Sequence, residues 1–428
     1  MRFELLHPAD QLVMMMSRIY YRGMTTTSGG NLSIKDADGS VWITPSGVDK
    51  GNIGRDDIMR VRSDGAIEGR HRPSSEYPFH LSVYDRRPDL RAVLHAHSPG
   101  LVAFSIVQRL PEVLLTPHAF QVCGRVGMAP YALPGSTRLG EEIAAEFGQG
   151  YSVVMLENHG VVIGAEDIFQ AFMAFETLET AAQLQINALR LGAPKPLTVE
   201  LAKSATSHGF ADYPEADAFE HASEEKALRR DLVKFIHRSY EQGLFTSTQG
   251  TYSARLSDGG FVITPYGKDR MYLDVDDLVL VRDGRTERGK QASRATHLHE
   301  EIYRQHSDIN SILVAQPPHL MAFAVTGVPF DARTIPESYI VLRDIRRIPY
   351  GTSLSGPAET ARHLASRTPV LVCENECVIV TGTSLLDAFD RLEVAEFTAR
   401  SIIGSAGLGP IVHIAGPEIE DIRVTFGL

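Results

Sequence analysis

Three histidines and one glutamate in the first half of the chain have the residue types of a metal site. His95 and His97 stand at the end of a largely apolar run, 90–94, that has the pattern of a strand. Residues two apart on a strand point to the same face, so both imidazoles can reach one ion. His159 follows a second strand-like run, and Glu76 is the natural carboxylate partner. Three neutral imidazoles are a common catalytic zinc set that leaves one position open to water or substrate.

The second half of the sequence repeats the first. Three collinear segments match at offsets of 220, 219 and 217 residues, and small insertions or deletions explain the drift. The matches pair 30–33 and 42–47 with 250–253 and 262–267, 90–106 with 309–325, and 157–160 with 374–377. The sequence therefore predicts two copies of one fold of roughly 210 residues.

The repeat is an internal control for the four candidate metal-binding residues. Taken alone, an H-x-H pair is also compatible with an ordinary hydrogen-bonded pair on a strand. In the second half all four candidates are replaced: His95 by Val314, His97 by Gln316, His159 by Glu376 and Glu76 by Ala295. Many neighbouring apolar and turn residues are retained. The joint loss of four residues on a retained scaffold indicates one shared function in the first half.

A second candidate site consists of three short turns rich in glycine, serine and asparagine. Backbone N–H groups in such turns, with hydroxyl and amide donors, can hold a phosphate without a net positive charge. The candidate anion-binding residues are Asn31, Ser46, Gly47, Ser74 and Ser75. In the second half Asn31 becomes Thr251, Ser46 becomes Tyr266 and Ser75 becomes Arg294, so this set degrades alongside the metal set.

The elements that must position these residues alternate between strand and helix patterns. Short β-rich runs are predicted at 41–44, 92–95, 152–156 and 161–163, and helices at 141–147 and 168–191. This alternation indicates a layered α/β fold whose sheet order the pattern leaves open. The segment 194–217 contains three prolines and is predicted to be a linker. We therefore place a catalytic domain at 1–205 and a degenerate copy at 218–428.

Composition narrows the class of protein. The net charge of −11 opposes binding to nucleic acid and to anionic membranes. A small-molecule substrate, even an anionic one, stays compatible with this charge because a local pocket can override the overall field. The sequence contains no run of 18 apolar residues, the length that could span a bilayer. Only three cysteines occur, Cys123, Cys373 and Cys377, which favours a reducing cytoplasm. A further H-x-H pair, His297 and His299, lies in a helical pattern that points the rings to opposite sides, so we expect a surface or capping feature.

Five ordered motifs together resemble the class II aldolase/adducin family, the family of L-fuculose-phosphate aldolase. The motifs are GNLS at 30–33, TPSG at 44–47, PSSE at 73–76, HAHSP at 95–99 and ENHG at 157–160. The resemblance implies a three-layer α/β/α domain with a mostly antiparallel central sheet, present here in two tandem copies. It implies Zn²⁺ held by His95, His97, His159 and Glu76, with Mn²⁺ or Co²⁺ as alternatives. It also implies that Glu76 acts as the acid/base and that Asn31, Ser46, Gly47, Ser74 and Ser75 hold a substrate phosphate.

The resemblance implies a carbon–carbon lyase, an aldolase that cleaves a small phosphorylated or anionic hydroxy-carbonyl substrate through a metal-stabilised enediolate. A decarboxylase of a keto-acid or hydroxy-acid on the same site is the alternative. From another class, an adducin-like interaction module without catalysis fits the second half. Two departures from the family matter: Ala119 stands where the aldolases have a tyrosine, and a second domain is present. We expect a homo-oligomer in which the second domain completes, or replaces, a neighbouring subunit position.

Overall fold

The chain forms two compact units. The structure is a computed structural model that describes residues 3–207, 209–210, 213–216 and 219–428. The first unit comprises Met1–Val113 and His118–Gln183, and the second comprises Leu114–Pro117 and Leu184–Leu428. The domain bounds 1–205 and 218–428 stay a prediction.

Strands and helices alternate in the first part of the chain. The strands are β1 Asn31–Lys35, β2 Val41–Ile43, β3 Met59–Val61, β4 Ile67–Glu68, β5 Ala92–Ala96, β6 Val126–Ala129, β7 Val153–Leu156 and β8 Val161–Ala165. The helices are α1 Pro8–Tyr21, α2 Tyr77–Arg86, α3 Pro99–Ile106, α4 Pro117–Cys123, α5 Thr137–Gly148 and α6 Ile168–Leu191. The helix predicted at 168–191 is confirmed at both ends, and the one at 141–147 lies within α5.

The second part of the chain repeats this order. Its strands are β9 Glu215–Ala216, β10 Thr251–Arg255, β11 Phe261–Ile263, β12 Val279–Arg282, β13 Arg285–Glu287, β14 Ser311–Ala315, β15 Ile345–Ile348, β16 Val370–Cys373 and β17 Cys377–Gly382. Its helices are α7 Val199–Ser207, α8 Ser223–Glu241, α9 Thr296–Gln305, α10 Leu320–Thr326, α11 Pro336–Leu342, α12 Thr352–Ser355, α13 Pro357–Arg362, α14 Leu385–Gly404 and α15 Gly416–Phe426. The predicted linker thus contains a helix, α7, and a short strand, β9.

Each unit has one sheet, and the two sheets share a strand order. The first runs β4-β3-β2-β1-β5-β8-β7-β6, and the second runs β13-β12-β11-β10-β14-β17-β16-β15, with β9 added beside β13. Neighbouring strands are antiparallel except β6 with β7, β15 with β16, and β13 with β9. The prediction of a mostly antiparallel sheet in two tandem copies is confirmed, and the sheet order that the pattern left open is now defined.

Helices cover both faces of each sheet. In the second unit, alternate residues of β14 enter two different cores. Leu313 and Ala315 pack with α8 and α14, whereas Ile312 and Val314 pack with α9 and α13. In the first unit α2 and α5 pack on the face that includes Val93 and Val154. Since strand residues alternate between faces, this division produces the three-layer α/β/α arrangement.

The histidine pair on α9 corrects one prediction. His297 lies on the outside, with 53% of its side chain exposed, as the helical geometry predicts. His299 is fully buried, and its Nδ1 lies 2.7 Å from Ser253 Oγ. The surface location was therefore wrong for His299, because the opposite side of this helix faces the sheet. The three cysteines, Cys123, Cys373 and Cys377, are buried free thiols.

None of the helices in the described residues combines the length with the apolarity that crossing a bilayer requires.

Candidate metal centre

One strand and one hairpin bring the three histidines together. His95 lies in β5 and pairs with Val162 of β8, and His97 follows the end of β5. His159 lies in the turn that joins β7 to β8. The Nε2 atoms of His95 and His97 are 2.9 Å apart, and one ligand atom from each of the three rings lies within 4.8 Å of the others. The register of β5 and β8 therefore joins residues that are 62 to 64 positions apart in the sequence.

Glu76 enters the same centre from the start of α2. Its Oε2 lies 3.3 Å from His95 Nε2, and its Oε1 lies 3.7 Å from His159 Nε2. Glu76 is the residue just before the first turn of α2, and the turn is tightened because Ser74 Oγ accepts a hydrogen bond from the Glu76 N–H. The structure thus places all four candidate metal-binding residues around one point.

Burial keeps the histidines neutral. Desolvation, with His97 and His159 nearby, holds the pKa of His95 well below its ordinary value, and burial lowers the pKa of His97 to about 4. Burial also lowers the pKa of His159, against the opposing effect of Glu76. Neutral imidazole is the form that binds a metal ion.

A hydrogen bond fixes which nitrogen of His95 faces the centre. Its Nδ1 donates to the carbonyl oxygen of Val161 at 2.9 Å, so Nε2 carries the lone pair. Among the described residues, Glu76 Oε1 is buried and has no hydrogen-bond donor. Imidazole lone pairs and a carboxylate oxygen without a donor converge there, a donor set that fits a divalent cation.

Glu179 holds the chain in position just after His97. Its carboxylate accepts hydrogen bonds from Ser98 Oγ at 2.7 Å and from the N–H groups of Gly100 and Leu101 at 2.9 Å. These donors form the start of α3, where a carboxylate satisfies free N–H groups. Glu179 is not among the residues that the sequence predicted for the site. Glu396 occupies the aligned position and binds the N–H of Leu320 in the same manner, so a comparison of the two halves shows no difference here.

Glycine is required where two loops approach the histidine strand. A Cβ at Gly30, whose φ is +73°, would lie 2.8 Å from the carbonyl oxygen of His95. A Cβ at Gly160 would lie 2.5 Å from the carbonyl oxygen of Ala96 and 2.7 Å from His97 Cδ2. Contacts this short with backbone atoms force a displacement of the strand or the hairpin.

Replacement of Gly160 by alanine is therefore expected to lower the free energy of unfolding by about 1–3 kcal/mol, because the added methyl overpacks the strand end. Urea denaturation followed by circular dichroism measures the change. Gly404→Ala is the matched control, since a Cβ there meets no atom within 4 Å. Equal stability of the two variants would contradict the steric interpretation.

Four of the predicted anion-binding residues, Ser46, Gly47, Ser74 and Ser75, lie in two neighbouring turns. An isolated antiparallel bridge, Pro45 with Pro73, sets the turn of Ser46 and Gly47 beside the turn of Ser74 and Ser75. The N–H groups of Ser46 and Ser74 are used within this pair of turns, by Arg72 O and Thr44 O. Within the described part of the chain, the N–H groups of Gly47 and Ser75 have no acceptor. These two N–H groups are therefore available to an anion.

Asn31 lies at the candidate metal centre itself. It begins β1, opposite His95 in the register of β1 and β5, and only 3% of it is exposed. Its Nδ2 donates to Glu76 Oε2 at 2.8 Å. Its predicted contact with a substrate phosphate stays a prediction, and the structure adds a contact with the catalytic candidate.

The aligned positions of the second unit form no such centre. Val314 packs into an apolar core, and Glu376 accepts a hydrogen bond from Ser353 Oγ. Among the residues that the structure describes, the one cluster of histidine, cysteine or acidic side chains with ligand spacing is His95, His97 and His159. The two units thus share a scaffold and differ in their chemistry.

Comparison with known proteins agrees with this architecture. The sequence model described as "Class II Aldolase and Adducin N-terminal domain" matches residues 10–186 and again 230–403. A 3-oxo-tetronate 4-phosphate decarboxylase from Pectobacterium atrosepticum is 33% identical over 41% of this chain and 81% of its own length. An L-fuculose phosphate aldolase from Methanocaldococcus jannaschii is 34% identical over 41% and 94%, respectively. A 5-deoxy-D-ribulose 1-phosphate aldolase from Bacillus thuringiensis is 33% identical over 47% and 96%.

Proposed function

The chain belongs to the class II aldolase and adducin family, and from this premise we propose that its first unit is a metal-dependent carbon–carbon lyase. The substrate that we propose is a small phosphorylated hydroxy-carbonyl compound, cleaved in a retro-aldol reaction. The observation that carries the proposal is the convergence of three neutral imidazoles on Glu76, one of whose buried oxygens has no hydrogen donor among the described residues. The relatives named above support it, because each acts on a phosphorylated substrate by its printed name.

His95, His97 and His159 would hold the cation, and Zn²⁺ is the ion that we propose first, with Mn²⁺ and Co²⁺ as alternatives. When bound, such an ion supplies Lewis-acid polarisation of the substrate's carbonyl and hydroxyl oxygens. The buried walls around His95 exclude water and strengthen each electrostatic contact inside the site.

Glu76 moves the proton in this proposal. Its Oε2 is occupied by the hydrogen bond from Asn31, so Oε1 is the atom that exchanges a proton with the substrate. The free N–H groups of Gly47 and Ser75, with the hydroxyls of Ser46 and Ser74, would bind the phosphate. Local donors must do this, since the net charge of −11 repels an anion at long range.

A decarboxylase is the second candidate, and Ala119 is the observation that favours it. Retro-aldol cleavage needs a group that takes the proton from the substrate hydroxyl, the role to which an aromatic hydroxyl is suited. Ala119, in α4, is 2% exposed and offers no such group. Loss of carbon dioxide needs no base for a hydroxyl, and one acid such as Glu76 suffices to protonate the product carbon.

For the second unit we propose a non-catalytic role as a scaffold or interaction module. Its aligned positions carry Val314, Gln316, Glu376 and Ala295, which is not a set that suits a catalytic metal. The homo-oligomer, the cytoplasmic location and the absence of nucleic-acid and membrane partners stay predictions.

A product assay tests the proposed function and separates the two candidates. The full chain is loaded with Zn²⁺ and incubated with a panel of ketose 1-phosphates and of phosphorylated 3-oxo acids. An aldolase releases an aldehyde and a three-carbon ketone phosphate, visible by NMR, whereas a decarboxylase releases carbon dioxide. No turnover of either panel by protein that contains one metal ion per chain would contradict the lyase proposal.

A further inference from the structure

A chain of buried polar groups runs from the metal centre into the core of the first unit. Asn31 Nδ2 lies 2.8 Å from Glu76 Oε2, and Asn31 Oδ1 lies 2.5 Å from His80 Nε2. His80 Nδ1 lies 2.7 Å from Ser33 Oγ, which in turn lies 2.7 Å from the hydroxyl of Tyr84. Asn31, Ser33, His80 and Tyr84 are each at most 3% exposed, so protein groups must satisfy one another here.

Each hydrogen bond in this chain has one allowed direction when Glu76 is ionised. A carboxylate only accepts, so Asn31 must turn its NH₂ group toward Glu76 and its carbonyl toward His80. His80 must then carry its proton on Nε2. Burial lowers the pKa of His80 to about 3, so its ring is neutral and has a single N–H. Its Nδ1 must therefore accept from Ser33, which accepts from Tyr84.

The second unit keeps the hydrogen bonds among serine, histidine and tyrosine and lacks the bonds that link the histidine to an asparagine and a glutamate. Ser253 Oγ lies 2.7 Å from His299 Nδ1 and 2.7 Å from the hydroxyl of Tyr303, which repeats the contacts of Ser33. Thr251 replaces Asn31, and its hydroxyl bonds to Ser293 Oγ at 2.7 Å instead. In the part of the chain that the structure describes, His299 Nε2 is buried without a hydrogen-bond partner.

This difference separates two functions of the buried histidine. The serine, histidine and tyrosine contacts occur in both units, so they serve the shared fold. The contact from the histidine to an asparagine occurs in the first unit, which also has a glutamate at the start of α2 for that asparagine to bind. The second unit has Ala295 at that place and tolerates a histidine nitrogen without a partner.

We propose that His80 is a positioning residue for the reaction of the first unit. By donating to Asn31 Oδ1, it fixes the orientation of the amide, whose NH₂ group then holds Glu76 Oε2 and leaves Oε1 facing His159. A flipped amide would set its carbonyl oxygen against the carboxylate and displace Glu76. The effect of His80 on the rate rests on the proposed lyase function. The orientation of Asn31 and Glu76 by His80 does not depend on that function.

Two substitutions at His80 and one matched control test the proposal in the full, metal-loaded chain. His80→Leu removes the donor, and we expect kcat to fall by about 10–100-fold, as for other outer contacts of metal sites, while one metal ion per chain is retained. His80→Gln offers an amide N–H in place of Nε2–H and is expected to restore kcat to within about threefold of the wild type. KM should change little in both variants, since the phosphate-binding turns are untouched.

His299→Leu is the control, because it removes the same serine contact from an equally buried position in the second unit. We expect it to lower stability by less than His80→Leu, because one hydrogen bond is lost instead of two, and to leave kcat unchanged. Full kcat in His80→Leu, or equal losses in His80→Leu and His80→Gln, would overturn the proposal, because the role of His80 would then be structural.

Crystal structures of the two His80 variants supply a readout that does not need turnover. The Asn31 Nδ2 to Glu76 Oε2 distance is expected to stay near 2.8 Å in His80→Gln and to be lost in His80→Leu. An unchanged distance in His80→Leu overturns the positioning role. A wild-type protein that holds metal and cleaves no substrate would contradict the proposed function, and the distances would still decide the role of His80.

Discussion

Replacement of His95 by alanine is expected to remove stoichiometric metal from the protein and to lower kcat/KM by about 10³-fold or more. The ring supplies Nε2 to the centre, and its Nδ1 bond to Val161 fixes that orientation. The loss corresponds to the several kcal/mol of charge stabilisation that a metal ion gives to a developing negative charge. Metal content is measured by elemental analysis of the purified protein, and turnover with whichever substrate panel the wild type cleaves.

Val314→Ala is the control for this experiment, because Val314 occupies the aligned position on β14. It removes a buried side chain from the corresponding strand and is expected to change stability without changing metal content. A His95→Ala protein that still binds one metal ion per chain, with unchanged turnover, would remove the basis for the enzyme function.

Replacement of Glu76 by glutamine is expected to keep the metal and to lower kcat by about 10²–10⁴-fold. The amide has the shape of the carboxylate but cannot take up a proton, so the contribution of general acid–base catalysis is lost. The three histidines remain, and for this reason metal content should stay near one ion per chain. Steady-state kinetics with parallel elemental analysis measures both quantities.

Glu376→Gln is the matched control, since it neutralises a carboxylate in the second unit at the position aligned with His159. We expect no change in kcat from it. Full activity in Glu76→Gln would assign proton transfer to a different group. Loss of metal from Glu76→Gln would instead show that the carboxylate is needed to hold the ion.

Much of the fold could be predicted because its signals are local. The long apolar period of α6 and the apolar runs of β5 and β8 depend on residues that are near one another in the sequence. The sheet order was not predictable in this way, since it depends on which strands pair across tens of residues. The helix α7 within the predicted linker was missed because prolines before it dominated the pattern.

The candidate site was predictable to the extent that the repeat exposed it. Joint replacement of His95, His97, His159 and Glu76 in the second half singled them out from ordinary polar residues. Glu179 and His80 escaped the same comparison because both have identical counterparts, Glu396 and His299. A residue that is identical in both copies cannot be distinguished by this comparison from a residue that serves only the shared fold, even where it also supports the site.

The sequence by itself determined the duplication, the layered α/β class and the residues that differ between the two copies. These follow from spacing, periodicity and side-chain type, which are properties of the chain before it folds. Only the tertiary structure decided which oxygen of Glu76 is held by Asn31 and which has no donor among the described residues, and why a side chain at Gly160 would be overpacked. Hydrogen-bond direction and close packing depend on how β1, α2 and the β7–β8 hairpin meet in space. The contacting residues are 45 or more positions apart in the sequence, so no single segment determines their contacts.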